Sequence, residues 1–312
     1  MRTAVATFGF GRPDYFERML TYLGSCHEVL DGTVDVFHYL DGGAKSEQET
    51  LIALIEGKTI PYKAIVPRTT NFGVGRQLIS ARRDIFDHHQ YDRMILVEDD
   101  IELNHTFLTT LLRLATWAEQ YNDIGTVQVW NVQEGTKEEL LPALDQIELT
   151  NRHFVSYCML KQGWDAIRDT LSTYEHKFLS KKPYAKRPHY RIRKFMRRCL
   201  KQPKQQLSGH CLDPPKEATH NPFPSVPWRT APTSQDALTS LALYQASLHR
   251  ITTRVSHAFY FGETGVHCTP EVYEEMGFNE QGWWQWDVEH IPATFTPRYQ
   301  DEQGNWLSSI YR

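Results

Sequence analysis

The sequence predicts an α/β fold, with a mixed but mostly parallel central sheet flanked by helices in one large domain. Strand-like apolar runs alternate with amphipathic helix patterns through the first hundred residues, as in a sheet built with crossover helices. Candidate strands run into glycines or acids, where an open sheet turns toward a ligand. The 312 residues are 40% hydrophobic and 23% charged, which allows an extensive core and excludes disorder.

Ala4 to Phe8 reads as a short buried strand. Pro13 opens a helix whose Phe16, Met19, Leu20 and Leu23 share one face, and Gly24 ends it. Val34 to Leu40 is a second strand ending in Asp41, Gly42 and Gly43. Ser46 with Glu49 predicts a capping box for a helix through Leu51, Leu54 and Ile55, stopped at Gly57. A third strand follows at Tyr62 to Val66, and the loop Asn71 to Gly75 leads into a helix through Leu78, Ile79 and Ile85. Arg93 to Val97 is a fourth, fully buried strand that runs into Glu98, Asp99 and Asp100. Strand alternation would place Glu98 and Asp100 on one face and Asp99 on the other unless the chain has already turned. Beyond it the pattern predicts a helix from Thr106 to Gln120, strands at Ile124 to Trp130 and Phe154 to Leu160, and a helix after Gly163 and Trp164. Regular structure resumes with a helix from Ser234 and a strand near Ile251 to Phe259.

Lys and Arg number 34 against 38 Asp and Glu, a net charge of −4. No window approaches the ~18 uncharged apolar residues that cross a bilayer, and the N-terminal apolar stretch is too short for a signal peptide, so no stable membrane insertion is expected. The five cysteines are widely spaced and form no CxxC pair, which argues against a disulfide framework or zinc ribbon and for a cytoplasmic setting.

Gly9-Phe10-Gly11 imitates a dinucleotide fingerprint, but its third glycine position is Asp14 and Pro13 restricts the turn. Neither a Walker lysine motif, a GxSxG elbow nor an HExxH helix occurs. The best local signal is Glu98-Asp99-Asp100: carboxylates at a strand end suit a hard divalent cation, with a solvated acidic turn as the competing reading.

In this arrangement the chain resembles the nucleotide-sugar glycosyltransferases of the GT-A fold, and within them the N-acetylglucosaminyltransferase I family, with the bacterial family 2 transferases a looser relative. The resemblance rests on Phe8 to Arg12 and Pro13 after the first strand, Leu40-Asp41-Gly42 after the second, and Ile95 to Asp100. Gln235-Asp236 on a helix and Phe261-Gly262-Glu263-Thr264-Gly265-Val266 complete it. It implies a metal-dependent inverting transferase moving a sugar from a UDP-sugar donor to a hydroxyl of a glycan or other acceptor, such as a small molecule. By the same resemblance Asp100 would be the single protein ligand of Mn2+ or Mg2+ in a DXD-type motif. Glu98 and Asp99 would contact the nucleotide sugar, Arg12 and Asp41 would hold the uridine, and Asp236 would deprotonate the acceptor. His267 replaces a family-like serine; it would touch the diphosphate or the metal, or is simply a hydrogen-bonded histidine. Around Asp236 the local string is Ser234-Gln235-Asp236-Ala237, without the family's flanking tryptophan and second acid. Residues 1–103 would then be the nucleotide-sugar half and 104–312 the acceptor half of the same domain, with a basic, proline-rich loop insertion at about 177–232.

That insertion segregates charge. Eleven Lys or Arg and no acid lie between Lys181 and Lys204, and without them 23 basic residues face 38 acidic ones, a balance of −15. Such a run contacts an anionic surface, nucleic acid or a phosphorylated acceptor, or is a mobile solvated loop that folds over the donor. Trp283, Trp284 and Trp286 would stack on sugar rings or pack together. Two other functions stay open: a sugar nucleotidyltransferase, disfavoured by the short lysine-free turn from Gly9 to Pro13, and a non-catalytic polyanion-binding protein.

Overall fold

The computed structural model describes residues 1–132, 135–151, 154–219, 228–265, 268–301, 303–305 and 307. The strands are β1 Thr3–Gly9, β2 Asp35–Leu40, β3 Ala64–Pro67, β4 Arg93–Val97, β5 Ile101–Leu103, β6 Ile124–Gln128, β7 Gln146–Leu149, β8 Tyr157–Leu160, β9 His249–Thr253, β10 Ala258–Tyr260 and β11 Thr296–Pro297. The α-helices are α1 Pro13–Leu23, α2 His27–Leu30, α3 Lys45–Glu56, α4 Gly73–Arg83, α5 Phe107–Ala118, α6 Lys137–Leu140, α7 Lys161–Tyr174, α8 His189–Cys199, α9 Gln235–Gln245 and α10 Pro270–Glu275.

Among the described residues, nine strands form one sheet in the order β11-β7-β9-β6-β8-β4-β1-β2-β3, and β5 pairs with β10 in a separate ribbon. The run β3-β2-β1-β4 is parallel, and β8 enters antiparallel between β4 and β6. The α/β class and mostly parallel sheet expected from the sequence are therefore present. Strand alternation divides the core. Ile95 and Val97 of β4 face the cluster with α1, α3 and α5, while Met94 and Leu96 face the cluster with α4, α7, α8 and α9.

Register decides where the site can be. Gly9 lies beside Leu40, Leu40 beside Pro67, and Thr7 beside Val97, so the strands end together and Arg12, Asp41 and Glu98–Asp100 emerge along one edge. Gly42 is required there because a Cβ would stand 2.2 Å from the Thr70 carbonyl carbon. Gly42→Ala is expected to cost about 1–3 kcal/mol, read as a lower midpoint in thermal unfolding.

Several expectations need correcting. The Ser46/Glu49 capping box does not form: the chain enters α3 earlier, from Ala44, and no side chain caps it. A capping box forms instead at Thr136 and Glu139. The strand expected at Ile251 to Phe259 is two strands, because the chain leaves the main sheet after Thr253 and joins β5 from Ala258. The basic part of the 177–232 insertion is not a loop, since it contains α8, whose Ile192 and Met196 are fully buried. Their spacing of four places both on one helical face, and that face packs into the core. Trp286 is also fully buried, with its indole N–H donating to the Ser256 carbonyl at 3.2 Å. No described helix is long and apolar enough to cross a membrane.

Candidate functional site

β4 ends at Val97 and the chain turns at once, so Asp99 and Asp100 do not alternate. Both face Arg12, which follows β1. The Arg12 guanidinium donates from Nε to Asp99 Oδ2 at 3.1 Å and from Nη2 to Asp100 Oδ2 at 3.1 Å, and it also pairs with Asp99 Oδ1. From the other side Arg12 Nη1 donates to the Thr264 carbonyl at 3.3 Å.

The segment Phe261–Gly265 closes over this tip. The Phe261 N–H donates to the Asp100 carbonyl at 3.0 Å, and Tyr15 and Thr264 share a hydroxyl–hydroxyl bond of 3.0 Å. A Cβ on Gly262 would lie 2.5 Å from the Tyr260 hydroxyl and 2.8 Å from Asp100 Oδ2, so only glycine fits between the tyrosine and the acid. Val266 and His267 lie outside the described residues.

The three acids crowd one another. Burial, then Asp100, Asp236 and Asp99, hold Glu98 well above the usual carboxylate range. Burial and Asp100 push Asp99 up to about 7 against the pull of Arg12, and burial raises Asp100 as well. One guanidinium does not balance three carboxylates, so the tip holds protons more tightly than free acids do.

Asp41 stands at the same edge but its carboxylate is occupied. Oδ1 accepts from the Gly42 and Phe72 N–H groups at 2.8 and 2.7 Å, and Oδ2 accepts from Gly73 N–H at 2.8 Å. It thus ties the end of β2 to the start of α4.

Asp236 lies in the first turn of α9, whose N-cap Ser234 accepts from the Ala237 N–H at 3.2 Å. It is half-buried, and Glu98 feels its charge. Gln235 Nε2 donates to Asp236 Oδ1, while Gln235 Oε1 accepts from Arg82 Nη1 at 2.9 Å. Arg82 also donates to the Tyr157 hydroxyl and to Thr239 at 3.4 Å. The fully buried arginine thereby fixes which end of the Gln235 amide faces Asp236. Arg250, whose guanidinium lies 3.5 Å over the Phe154 ring, adds a second cation near the carboxylate. Burial pushes Asp236 up to about 6, and Arg82 and Arg250 keep it from rising further.

The structure therefore gathers Arg12, Glu98, Asp99 and Asp100, sets Asp236 within electrostatic range of Glu98, and engages Asp41 with backbone. Sequence reasoning missed Arg82, Tyr157, Tyr184 and Arg250, and gave Gln235 no role of its own beside Asp236. Arg82 had a readable signal: it falls on the apolar face of α4, with Leu78 four residues before it and Ile85 three after. Tyr184 had none, although its ring packs against Gly73 and Gly75 and its hydroxyl accepts from the Gln235 N–H at 3.1 Å.

No family model matches the chain, and no curated protein does. Solved structures with similarity include S. aureus TarS 1-349 at 12% identity and a TM-score of 0.38, covering 53% of this chain and 48% of that one. Its complex with UDP-GlcNAc matches at 13% identity and TM-score 0.38, covering 53% and 47%. The mannosyltransferase PcManGT from Pyrobaculum calidifontis, in complex with GDP-Man and Mn2+, matches at 13% identity and TM-score 0.42, covering 79% and 73%. The chain spans about half the length of the TarS structures. Likeness at this level assigns no activity to it.

Proposed function

We propose that this chain is a metal-dependent inverting glycosyltransferase of the GT-A type that takes a UDP-sugar as donor and a hydroxyl as acceptor. The observation that carries the reading is an acidic tip under a single guanidinium at the sheet edge, with a half-buried carboxylate at the α9 N-terminus close enough for Glu98 to feel its charge.

The residues suit a divalent ion. They offer hard carboxylate oxygens and an excess of negative charge at the sheet edge. Among the described residues no group of three or more His, Cys, Asp or Glu forms a protein-only cage. Asp100 is the residue that would hold the ion, together with oxygens of the bound donor. A bound Mn2+ or Mg2+ would supply Lewis-acid neutralisation of the departing diphosphate.

The chain's own groups do the rest. Arg12 places a fixed positive charge beside the diphosphate and holds Asp99 and Asp100 in register. Glu98 and Asp99 face the sugar and ribose hydroxyls. Asp41 keeps the β2 and α4 loops together as the shelf for the base. Asp236 takes the proton from the acceptor hydroxyl as it attacks, with Oδ1 engaged by Gln235 and Oδ2 left for the hydroxyl.

Because the base must be ionised and its pKa lies near 6, kcat/KM is expected to fall about tenfold per pH unit below that value. A pH–rate profile measured down to pH 4.5 checks this; a flat profile contradicts it. Incubation with UDP- and GDP-sugars and Mn2+, following nucleoside diphosphate release, tests the reaction class. Turnover of a nucleotide sugar that stops with chelator is the expected result. Pyrophosphate release from a nucleoside triphosphate and a sugar phosphate would overturn the reading.

A further inference from the structure

We propose that the outward face of α8 is a docking surface for an anionic lipid bilayer, held by charge rather than by insertion. The helix is divided in two. Ile192 and Met196 are fully buried against the core, whereas Tyr190, Arg191, Lys194, Arg197, Arg198 and Lys201, the last just past the helix end, are exposed on the opposite side. At 100° per residue these six fall within one arc, a strip about 16 Å long along the helix.

Among the described residues none of these five cations forms an ion pair, and no acid interrupts the run from Lys181 to Lys204. The strip is also rigid. Arg193 donates to the Ala231 carbonyl at 2.9 Å, Arg187 to the Thr233 carbonyl at 3.2 Å, and His189 Nδ1 lies 2.6 Å from the Thr233 hydroxyl, so α8 is pinned before α9. Holding like charges together on a fixed surface is unfavourable unless something anionic faces them.

A bilayer fits better than a nucleic acid. Among the described residues the strip presents one exposed aromatic, Tyr190, 78% exposed, and Trp228 beneath Arg197 is packed against the core, whereas single-strand recognition uses several stacking rings or a groove. An exposed amphipathic ring beside lysines and arginines suits the headgroup layer. Without these five cations the chain has 29 basic against 38 acidic residues, a balance of −9, so an anionic surface repels the rest of the molecule and favours approach by this face. The apolar side of the helix is spent on the core, which excludes insertion and makes the contact salt-sensitive.

Sedimentation of the full chain with vesicles tests this independently of the donor-site reading. The protein is expected to bind phosphatidylcholine vesicles containing about one-third phosphatidylglycerol at low salt, to leave them at about 0.5 M NaCl, and to ignore phosphatidylcholine alone. Replacing Arg191, Lys194, Arg197, Arg198 and Lys201 together with glutamine should weaken partitioning at least about 100-fold with an unchanged thermal midpoint. The same change at Lys45, Lys58, Lys63, Lys161 and Lys216 should have little effect. If the five-fold variant does not fold, the pairs R191Q/K194Q and R197Q/R198Q make the same comparison, each expected to cost about tenfold. Equal binding to neutral vesicles, equal loss in the two variants, or binding that survives high salt overturns the proposal. So does a wild-type protein that ignores anionic vesicles but binds single-stranded RNA.

Discussion

Asp236→Asn is expected to lower the transfer rate by about 10³-fold and, at pH 7.5, to make the protein more stable. The two effects share one cause. Asparagine can still accept from Gln235, so the geometry is kept, but it cannot take the acceptor's proton. The stability effect follows from linkage. Burial raises the folded-state pKa to about 6, above the ordinary aspartate value near 3.9, so the cost of the charge is absent below the unfolded value and appears as pH rises through the folded one. Asp236 is half-buried and partly screened, so the gain is about 1–2 kcal/mol above pH 6, a few degrees in thermal midpoint, vanishing below about pH 4. Thermal melts at three pH values beside a rate assay separate the components. A full transfer rate would move the base elsewhere.

Asp100→Asn is expected to remove metal-dependent nucleotide affinity, weakening UDP binding in the presence of Mn2+ on the order of 100-fold and leaving the metal-free titration unchanged. The fold should persist or gain stability, because Asp100 raises the pKa of both Glu98 and Asp99 by repulsion. Arg12 keeps its bonds to Asp99, so the tip does not collapse. Calorimetric titration of both proteins with and without Mn2+ reads the difference directly. An unaltered metal response would remove Asp100 from the metal site.

The parts of this account that were legible in the sequence are those set by local pattern. The run Arg93–Val97 followed by acids placed the tip at a strand end, and Pro13, Gly24 and Gly57 marked helix boundaries found in the structure. What could not be read depends on contacts between distant segments. Arg12 meets Asp99 only because β1 and β4 pair in parallel with their ends level, a register that no local window contains. Arg82 reaches Gln235 because α4 and α9 share a face of the sheet across 153 residues of chain. The helix α8 was hidden for another reason: its apolar residues Ile192, Phe195 and Met196 have helical spacing, but eleven cations masked the pattern as a solvated loop. The Ser46/Glu49 signal misled because the S-x-x-E spacing fits inside a helix as well as at its start, and the chain turned helical before it.

The central claim is that the turn after β4 holds a divalent ion against the two phosphates of a nucleotide sugar. Anomalous diffraction at the manganese edge, from a crystal soaked with Mn2+ and UDP, tests it most directly. The account predicts one anomalous peak within coordination distance of an Asp100 oxygen, with the diphosphate on its far side and Arg12 alongside. A peak at another group of residues, or UDP seated in this cleft with no metal beside Asp100, would contradict it.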